Sequence, residues 1–261
     1  MDRILPTNDL AFKKTFTSNE SKDILAGLIN DFYLLNVNPE ELNLETPYSI
    51  ETYKKEVEDR KKKESAGLQY TIADIVASIN NNNGVAAIVK VANFISEMQI
   101  YRTAYFEERF LYYAFDRFCK NYGTVTPTDD KIKRVKYADL CPVYALNILK
   151  QIHFEDDTAL RVFQLYDSVR NKYYPKDLIR IGFFELSKPE VETVNQKHWQ
   201  DYFNTGKANP DSPSYIIKAS QMIEYVNLSE EEREMARSMD HETETSKAIL
   251  EYVQDARKKQ I

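Results

Sequence analysis

The chain has 261 residues, and its 41 Asp and Glu residues outnumber its 35 Lys and Arg residues, giving a formal net charge of -6. This balance excludes a uniformly basic protein that coats nucleic acid, because neutralising phosphates over a whole surface requires a cationic surface. The 6 glycines stand against 18 tyrosines and 13 phenylalanines, and no GxxxxGK[ST] or GxGxxG string occurs, so a glycine-rich phosphate-binding loop is excluded as well.

The composition indicates an ordinary globular protein of a reducing compartment. Hydrophobic residues make up 43% and charged residues 29% of the chain. Cys119 and Cys141 are too few for a disulfide framework and form no CxxC pair. Residues 1–8 lack an apolar segment, and no later stretch approaches the roughly 20 apolar residues of a membrane span. We therefore expect a cytoplasmic protein with no membrane segment and no organic cofactor.

The first 100 residues predict helices followed by two strands. Residues 7–35 have the apolar spacing and the Asn and Ser caps of two short helices. The charged run over residues 54–64 is typical of a solvated helix or loop, and an edge that contacts phosphate is the alternative. Residues 70–79 are rich in β-branched side chains and end at an Asn-Gly turn signal, so we predict a strand there and a return strand over residues 85–100.

The rest of the chain alternates between helical and strand patterns. Residues 102–121 form a broad apolar helical face, residues 142–149, 159–169 and 178–186 are strand-like, and the chain becomes helical again from residue 196. This alternation predicts an α/β fold with a mixed central sheet flanked by helices. We place its core in residues 1–190 and a helical C-terminal region in residues 191–261.

Two predicted strands contain polar residues that suit metal-dependent chemistry. Asp74 lies inside the apolar string YTIADIVAS, and Glu97 and Gln99 lie inside FISEMQI. A partly buried carboxylate must be paired, hydrogen-bonded or metal-bound. Two converging carboxylates can hold Mg²⁺ beside a phosphate, although pairing of Asp74 with Arg102 or Arg109 is an alternative.

Six strings of this sequence resemble one family. They occur in the family's order and are LPTNDLAFKKTF, IADIVA, SEMQ, ERFLYYAF, HWQDYF and LSEEERE. Each string alone is weak, but the set spans most of the chain and resembles the Rpn-type recombination-promoting nucleases. That transposase-related bacterial family belongs to the PD-(D/E)xK phosphodiesterase superfamily.

The resemblance implies a metal-dependent DNA endonuclease of recombination or mobile elements, built on a PD-(D/E)xK restriction-endonuclease-like core. It implies that Asp74, Glu97 and the main-chain carbonyl of Met98 bind Mg²⁺, with Mn²⁺ or Ca²⁺ as substitutes. Gln99 stands where the superfamily more often has Lys, and it would orient the attacking water. Asp9 matches a candidate third carboxylate on the first helix. DNA is the implied partner, and whether the protein forms a homodimer is left open.

The spacing of the two strand carboxylates departs from the family pattern. A tight turn at Asn83 and Gly84 would pair Asp74 with Asn93, which is four residues, or roughly 13 Å, from Glu97. Either the connection is longer and asymmetric or the site is broken, and we favour the longer connection because the flanking strings still match. The alternative function is a catalytically lapsed relative that acts as a DNA-binding or regulatory module.

Overall fold

The computed structural model describes residues 3–65, 75–81, 89–99, 105–120, 122, 137 and 140–241. The helices are α1 (Asp9–Thr17), α2 (Lys22–Tyr33), α3 (Ile50–Ser65), α4 (Phe106–Lys120), α5 (Val194–Thr205) and α6 (Ser214–Met222). Residues 230–241 are also helical. The strands are β1 (Leu42–Leu44), β2 (Ile75–Asn81), β3 (Val89–Gln99), β4 (Val143–Leu149), β5 (Leu160–Gln164), β6 (Tyr166–Asp167), β7 (Lys172–Tyr173) and β8 (Ile179–Glu185).

Six of these strands form one mixed sheet in the order β1-β2-β3-β4-β8-β5. β3, β4 and β8 are parallel neighbours, whereas β1, β2 and β5 join the sheet antiparallel. β4 is central and is buried at every residue, as expected for a strand with helices on both faces. The predicted α/β class with a mixed sheet is confirmed at this level.

The two faces of the sheet pack against different helices. Alternate residues of β4 separate the faces, because successive side chains of a strand point in opposite directions. Tyr144, Leu146 and Ile148 belong to a large core, here called the main core, which includes side chains of α1, α2, α5 and α6. The other face forms a smaller cluster, the α4 core, which consists of Phe106, Phe110, Tyr113, Ala114, Val143, Ala145, Leu149, Ile179, Ile181 and Phe183.

The C-terminal helices contribute the largest side chain of the main core. Trp199 of α5 is fully buried and stacks on Phe203 at a centroid distance of 5.6 Å. Its indole N–H donates to Asp31 of α2 at 2.8 Å, and the hydroxyl of Tyr215 donates to the same carboxylate oxygen at 2.8 Å. Side chains from both sides of position 190 therefore share one core, and the predicted division at that position stays a prediction.

The predicted strand over residues 159–169 is too long. β5 ends at Gln164, and the chain then forms the separate two-stranded ribbon of β6 and β7. Asp167 ends the extended run, because its Oδ1 accepts the backbone N–H groups of Val169 and Arg170 and folds the chain into a turn after β6.

Two further findings concern the exposure of the cysteines and the search for a helix that could span a membrane. Cys119 is exposed and Cys141 is buried, and neither forms a disulfide bond with a described residue. Over the part of the chain that the structure describes, no helix combines the length and apolar character that crossing a bilayer requires.

Candidate functional site

The β2–β3 ladder shows how the two predicted carboxylate strands are aligned. Ile75 lies opposite Ser96 and Ser78 lies opposite Asn93, and the register shifts by a bulge after Ile79. The tight-turn pairing would instead have set Asn93 opposite residue 74. The described pairs therefore follow an asymmetric register and not the tight-turn pairing, whereas the connection over residues 82–88 lies outside the described residues.

The structure describes the predicted site residues to different degrees. Asp74 lies outside the described residues, and for Glu97 and Gln99 the description covers the backbone alone. Glu97 and Gln99 lie at the C-terminal end of β3, where they pair with Asn147 and Leu149 of the parallel strand β4. Met98 lies between them, and its side chain packs against the main core.

Asn147 is a polar residue of the site region that our sequence reading missed. It is fully buried in the middle of β4, in register with Glu97 on one side and with Phe183 on the other. Its Nδ2 donates to the carbonyl of Gly182 at 3.3 Å, but its Oδ1 accepts no hydrogen bond from any described residue. An acceptor buried without a donor costs free energy, so this oxygen requires an explanation such as a water or an ion.

The signal for Asn147 was present in the sequence. The string VYALNIL contains one amide among apolar residues, which is the same kind of anomaly that singled out Asp74. Asn147 alternates with Ala145 and Leu149, so it lies on the α4 face of the sheet.

Asp9 lies in the first turn of α1 and is bound to α3. The side chain of Asn8 caps this helix by accepting the backbone N–H groups of Leu10 and Ala11. The Oδ2 of Asp9 accepts hydrogen bonds from the hydroxyl of Tyr53 at 2.9 Å and from Arg60 at 3.0 Å.

These contacts give Asp9 a structural role that joins the two helices. The apolar side of α1 packs in the main core, on one face of the sheet, whereas Asn147 lies on the opposite face, which packs against α4. A metal-binding role for Asp9 stays a prediction.

A buried ion pair lies at the carboxyl ends of the parallel strands. Glu185 ends β8 in the same row as Leu149, and its Oε2 lies 2.7 Å from the Nζ of Lys188. Both side chains of this ion pair are buried. The Oε1 of Glu185 also accepts the backbone N–H groups of His153 at 2.5 Å and Phe154 at 3.2 Å.

The ion pair fixes the loop that follows β4. The Nε2 of His153 in turn lies 2.8 Å from a carboxylate oxygen of Glu107 on α4. Every oxygen and nitrogen named in this network has a protein partner, so it holds the loop against the sheet. No cluster of three His, Cys, Asp or Glu side chains suited to a metal occurs among the described residues, a set that omits Asp74 and the side chain of Glu97.

Comparison with known proteins gives one match. The sequence model of a family described as PD-(D/E)XK nuclease family transposase matches residues 6–252. The chain therefore belongs to the PD-(D/E)XK nuclease family of transposases. A search of curated proteins and a search of solved structures each found no match.

Family membership confirms the resemblance seen in the sequence strings. It indicates a nuclease related to mobile elements, and it implies DNA as the substrate. The mixed α/β architecture agrees with a PD-(D/E)XK-like fold. Nucleases of this superfamily typically use divalent metal ions.

Proposed function

We propose that this protein is a metal-dependent DNA endonuclease whose metal ligands are Asp74, Glu97 and the main-chain carbonyl of Met98. The observation that supports the proposal most is the register of β2 and β3, in which Ile75 pairs with Ser96. The proposal requires this register to continue by one step, which would pair position 74 with position 97. The unusually long spacing in the sequence then reflects an asymmetric connection instead of a broken site.

This register changes the distance that the two carboxylates must bridge. Directly opposite positions of an antiparallel pair have Cβ atoms about 4.5–5.5 Å apart. Two carboxylates on such positions can share a cation with metal–oxygen distances of about 2.0–2.6 Å. The tight-turn register would have required roughly 13 Å.

Asn147 supports an oxygen-binding ion in this region. Paired positions of a sheet share a face, so the proposal sets Glu97 beside the buried Oδ1 of Asn147, which accepts no hydrogen bond from a described residue. Carboxylate, amide and main-chain oxygens form the donor set that Mg²⁺ prefers, with Mn²⁺ or Ca²⁺ as substitutes. The residues present therefore fit a hard divalent cation.

The chain's own residues would position the substrate. A bound divalent cation would lower the pKa of its water and offset charge at the scissile phosphate. Glu97 and Asp74 would hold that centre, and the side-chain amide of Gln99 would orient the attacking water by hydrogen bonding. Because Gln99 is neutral, it adds no positive charge to stabilise the transition state.

Plasmid nicking with and without Mg²⁺ tests the proposal. Asp74→Asn and Glu97→Gln keep the size of each side chain, and each should lower the metal-dependent nicking rate at least about 100-fold. Glu108→Gln is the matched control, since Glu108 is an exposed carboxylate of α4. Unchanged melting temperatures would show that all three variants fold.

Two outcomes would contradict the proposal. Retained nicking by both Asp74→Asn and Glu97→Gln would remove the assigned ligands. Absence of nicking by the wild-type protein with Mg²⁺, Mn²⁺ and Ca²⁺, together with retained DNA binding, would favour the catalytically lapsed DNA-binding or regulatory protein.

A further inference from the structure

Residues 165–174, here called the aromatic ribbon, form a two-stranded hairpin beyond the end of β5. Tyr166 pairs with Tyr173, and the N–H of Tyr174 donates to the carbonyl of Leu165 at 3.0 Å. The two tyrosine rings of the central pair meet edge to face at 5.2 Å. The ribbon is a sheet of its own and is not part of the six-stranded sheet.

The turn of the ribbon is held by its own side chains. Asp167 accepts the backbone N–H groups of Val169 and Arg170 through Oδ1 and contacts the guanidinium of Arg170 through Oδ2 at 3.1 Å. Asn171 adopts a left-handed backbone with φ of 52°, and its side-chain oxygen accepts the hydroxyl of Tyr166 at 3.2 Å. The hairpin is therefore locally ordered, although no core covers it.

The ribbon exposes large apolar side chains to solvent. Val169 at the turn is 83% exposed, and Tyr173 is 67% exposed. An isolated two-stranded hairpin is marginally stable in water, and exposed apolar patches commonly mark interaction sites. The exposed apolar side chains from β5 through the ribbon are Val162, Phe163, Leu165, Tyr166, Val169, Tyr173 and Tyr174.

The same segment has the opposite charge from the chain as a whole. Residues 161–180 contain five basic and two acidic residues, a net charge of +3, whereas the whole chain carries -6. Lys172 of the ribbon and Lys176, two residues beyond it, are exposed, and neither forms an ion pair with a described residue. This segment, in which the ribbon itself carries two basic residues and one acidic residue, is complementary to phosphate, whereas the same segment of a second copy would repel it.

We propose that the aromatic ribbon binds duplex DNA beside the cleavage site. This inference rests on the proposed function, because it takes the DNA of the nuclease as the ligand. A two-stranded ribbon fits the width of the major groove, where lysines can contact phosphates and aromatic side chains can contact bases.

The position of the ribbon allows one duplex to reach both it and the site. Position 97 shares a row with Asn147, Phe183 and Arg161 across four strands, or roughly 14 Å. The ribbon begins four residues farther along the chain, roughly 13 Å away. The two offsets combine to roughly 20 Å, which is about six base pairs of duplex.

DNA binding measured without metal tests the ribbon separately from cleavage. The probe is a fluorescein-labelled duplex of about 24 base pairs in EDTA, titrated at about 50 mM and about 200 mM KCl. Lys172→Glu combined with Lys176→Glu should weaken binding at least about 10-fold and reduce the slope of log K against log salt by about two. Lys207→Glu combined with Arg237→Glu makes the same change in net charge at exposed positions elsewhere and should change the Kd by less than about twofold.

The outcomes separate the ribbon from the catalytic site. Equal loss of DNA binding in the two double variants would overturn the ribbon proposal, and so would a dimer in sedimentation velocity that only the ribbon variant disrupts while DNA binding is unchanged. Selective loss in the ribbon variant would support the ribbon even if the wild-type protein failed to nick plasmid. Only the nicking assay tests the assignment of the metal ligands.

Discussion

The hydroxyl of Tyr33 lies directly against the α-carbon side of Gly182 on which any other residue would carry its Cβ atom. A Cβ built on Gly182 would lie 2.7 Å from that hydroxyl oxygen and 3.1 Å from Cδ1 of Leu146. Tyr33 is buried, and its hydroxyl donates to the carbonyl of Ala145 at 2.5 Å, so the ring has little room to move. Burial also raises the pKa of Tyr33 above its usual range, which keeps the hydroxyl protonated.

We expect Gly182→Ala to lower the free energy of unfolding by about 1–3 kcal/mol, because a buried methyl group without space forces its neighbours to shift. Tyr33→Phe removes the oxygen that the methyl group would meet. The double variant should therefore be more stable than the sum of the two single changes allows, as measured by urea unfolding. Strict additivity would contradict the steric explanation.

Lys188→Met should lower the free energy of unfolding by about 3–5 kcal/mol, because it leaves the buried carboxylate of Glu185 without its cation. Adding Glu185→Gln removes the unpaired charge and keeps an oxygen that can accept the N–H groups of His153 and Phe154. The double variant should recover part of the loss in urea unfolding. A double variant no more stable than Lys188→Met would show that the ion pair is not the source of the effect.

Asn147→Leu should change the free energy of unfolding by less than about 1.5 kcal/mol, because removing a buried amide that is only half hydrogen-bonded offsets the cost of fitting the larger leucine. If the Oδ1 of Asn147 belongs to the metal site, the same change should weaken Ca²⁺ binding at least about 10-fold in isothermal titration calorimetry.

Asn147→Asp supplies the matched comparison. The buried carboxylate of this variant should make the metal-free protein less stable. Added Ca²⁺ should restore the stability by pairing with that charge. Unchanged Ca²⁺ affinity in Asn147→Leu would exclude this residue from the site.

Glu232 should make stability depend on pH below the ordinary range of a glutamate. Burial alone would raise the pKa of Glu232, but hydrogen bonds from Lys14, the Ser229 N–H and Tyr48 outweigh it and lower the pKa below its usual value of 4.5. Because the folded state then binds the proton more weakly than the unfolded state, this contribution is present above about pH 4.5 and is lost as the pH falls through the folded pKa.

We expect Glu232→Gln to cost about 1–3 kcal/mol at pH 7, with a smaller cost as the pH falls below about 4.5. Glu231→Gln is the neighbouring control, since Glu231 is an exposed partner of Lys54 and should contribute less than about 1 kcal/mol. Chemical denaturation at several pH values measures both. A cost for Glu232→Gln that does not change with pH would rule out the carboxylate as the cause.

The local elements were predictable because their signals are local. The apolar spacing of α1, α2, α4 and α5 and the β-branched content of β3, β4 and β8 located these elements to within a few residues. The strand over residues 159–169 was predicted too long, because the Asp167 turn interrupts a run with suitable strand composition.

The site was less predictable because it depends on how the strands pair in the sheet. No strand pattern fixes the length of a connection, so the sequence left the Ile75–Ser96 register open between two alternatives. Asn147 was visible as one amide in an apolar strand, but its neighbour Glu97 becomes apparent only when β3 and β4 are paired. Lys188 lies in a short polar run that reads as a turn, and nothing local in the sequence indicates that it is buried.

The contact between α1 and residues 230–241 has a consequence for synthesis of the chain. The Nδ2 of Asn8 donates to the carbonyl of Ala236 at 3.0 Å across 228 positions, and Lys14 forms its ion pair with Glu232. At about 5–20 residues per second, a ribosome needs roughly 11–46 s to make the residues between Asn8 and Ala236. The polar side of the first helix therefore gains these partners only after the last described helix has been made, and a shorter ribosome-bound chain lacks both contacts.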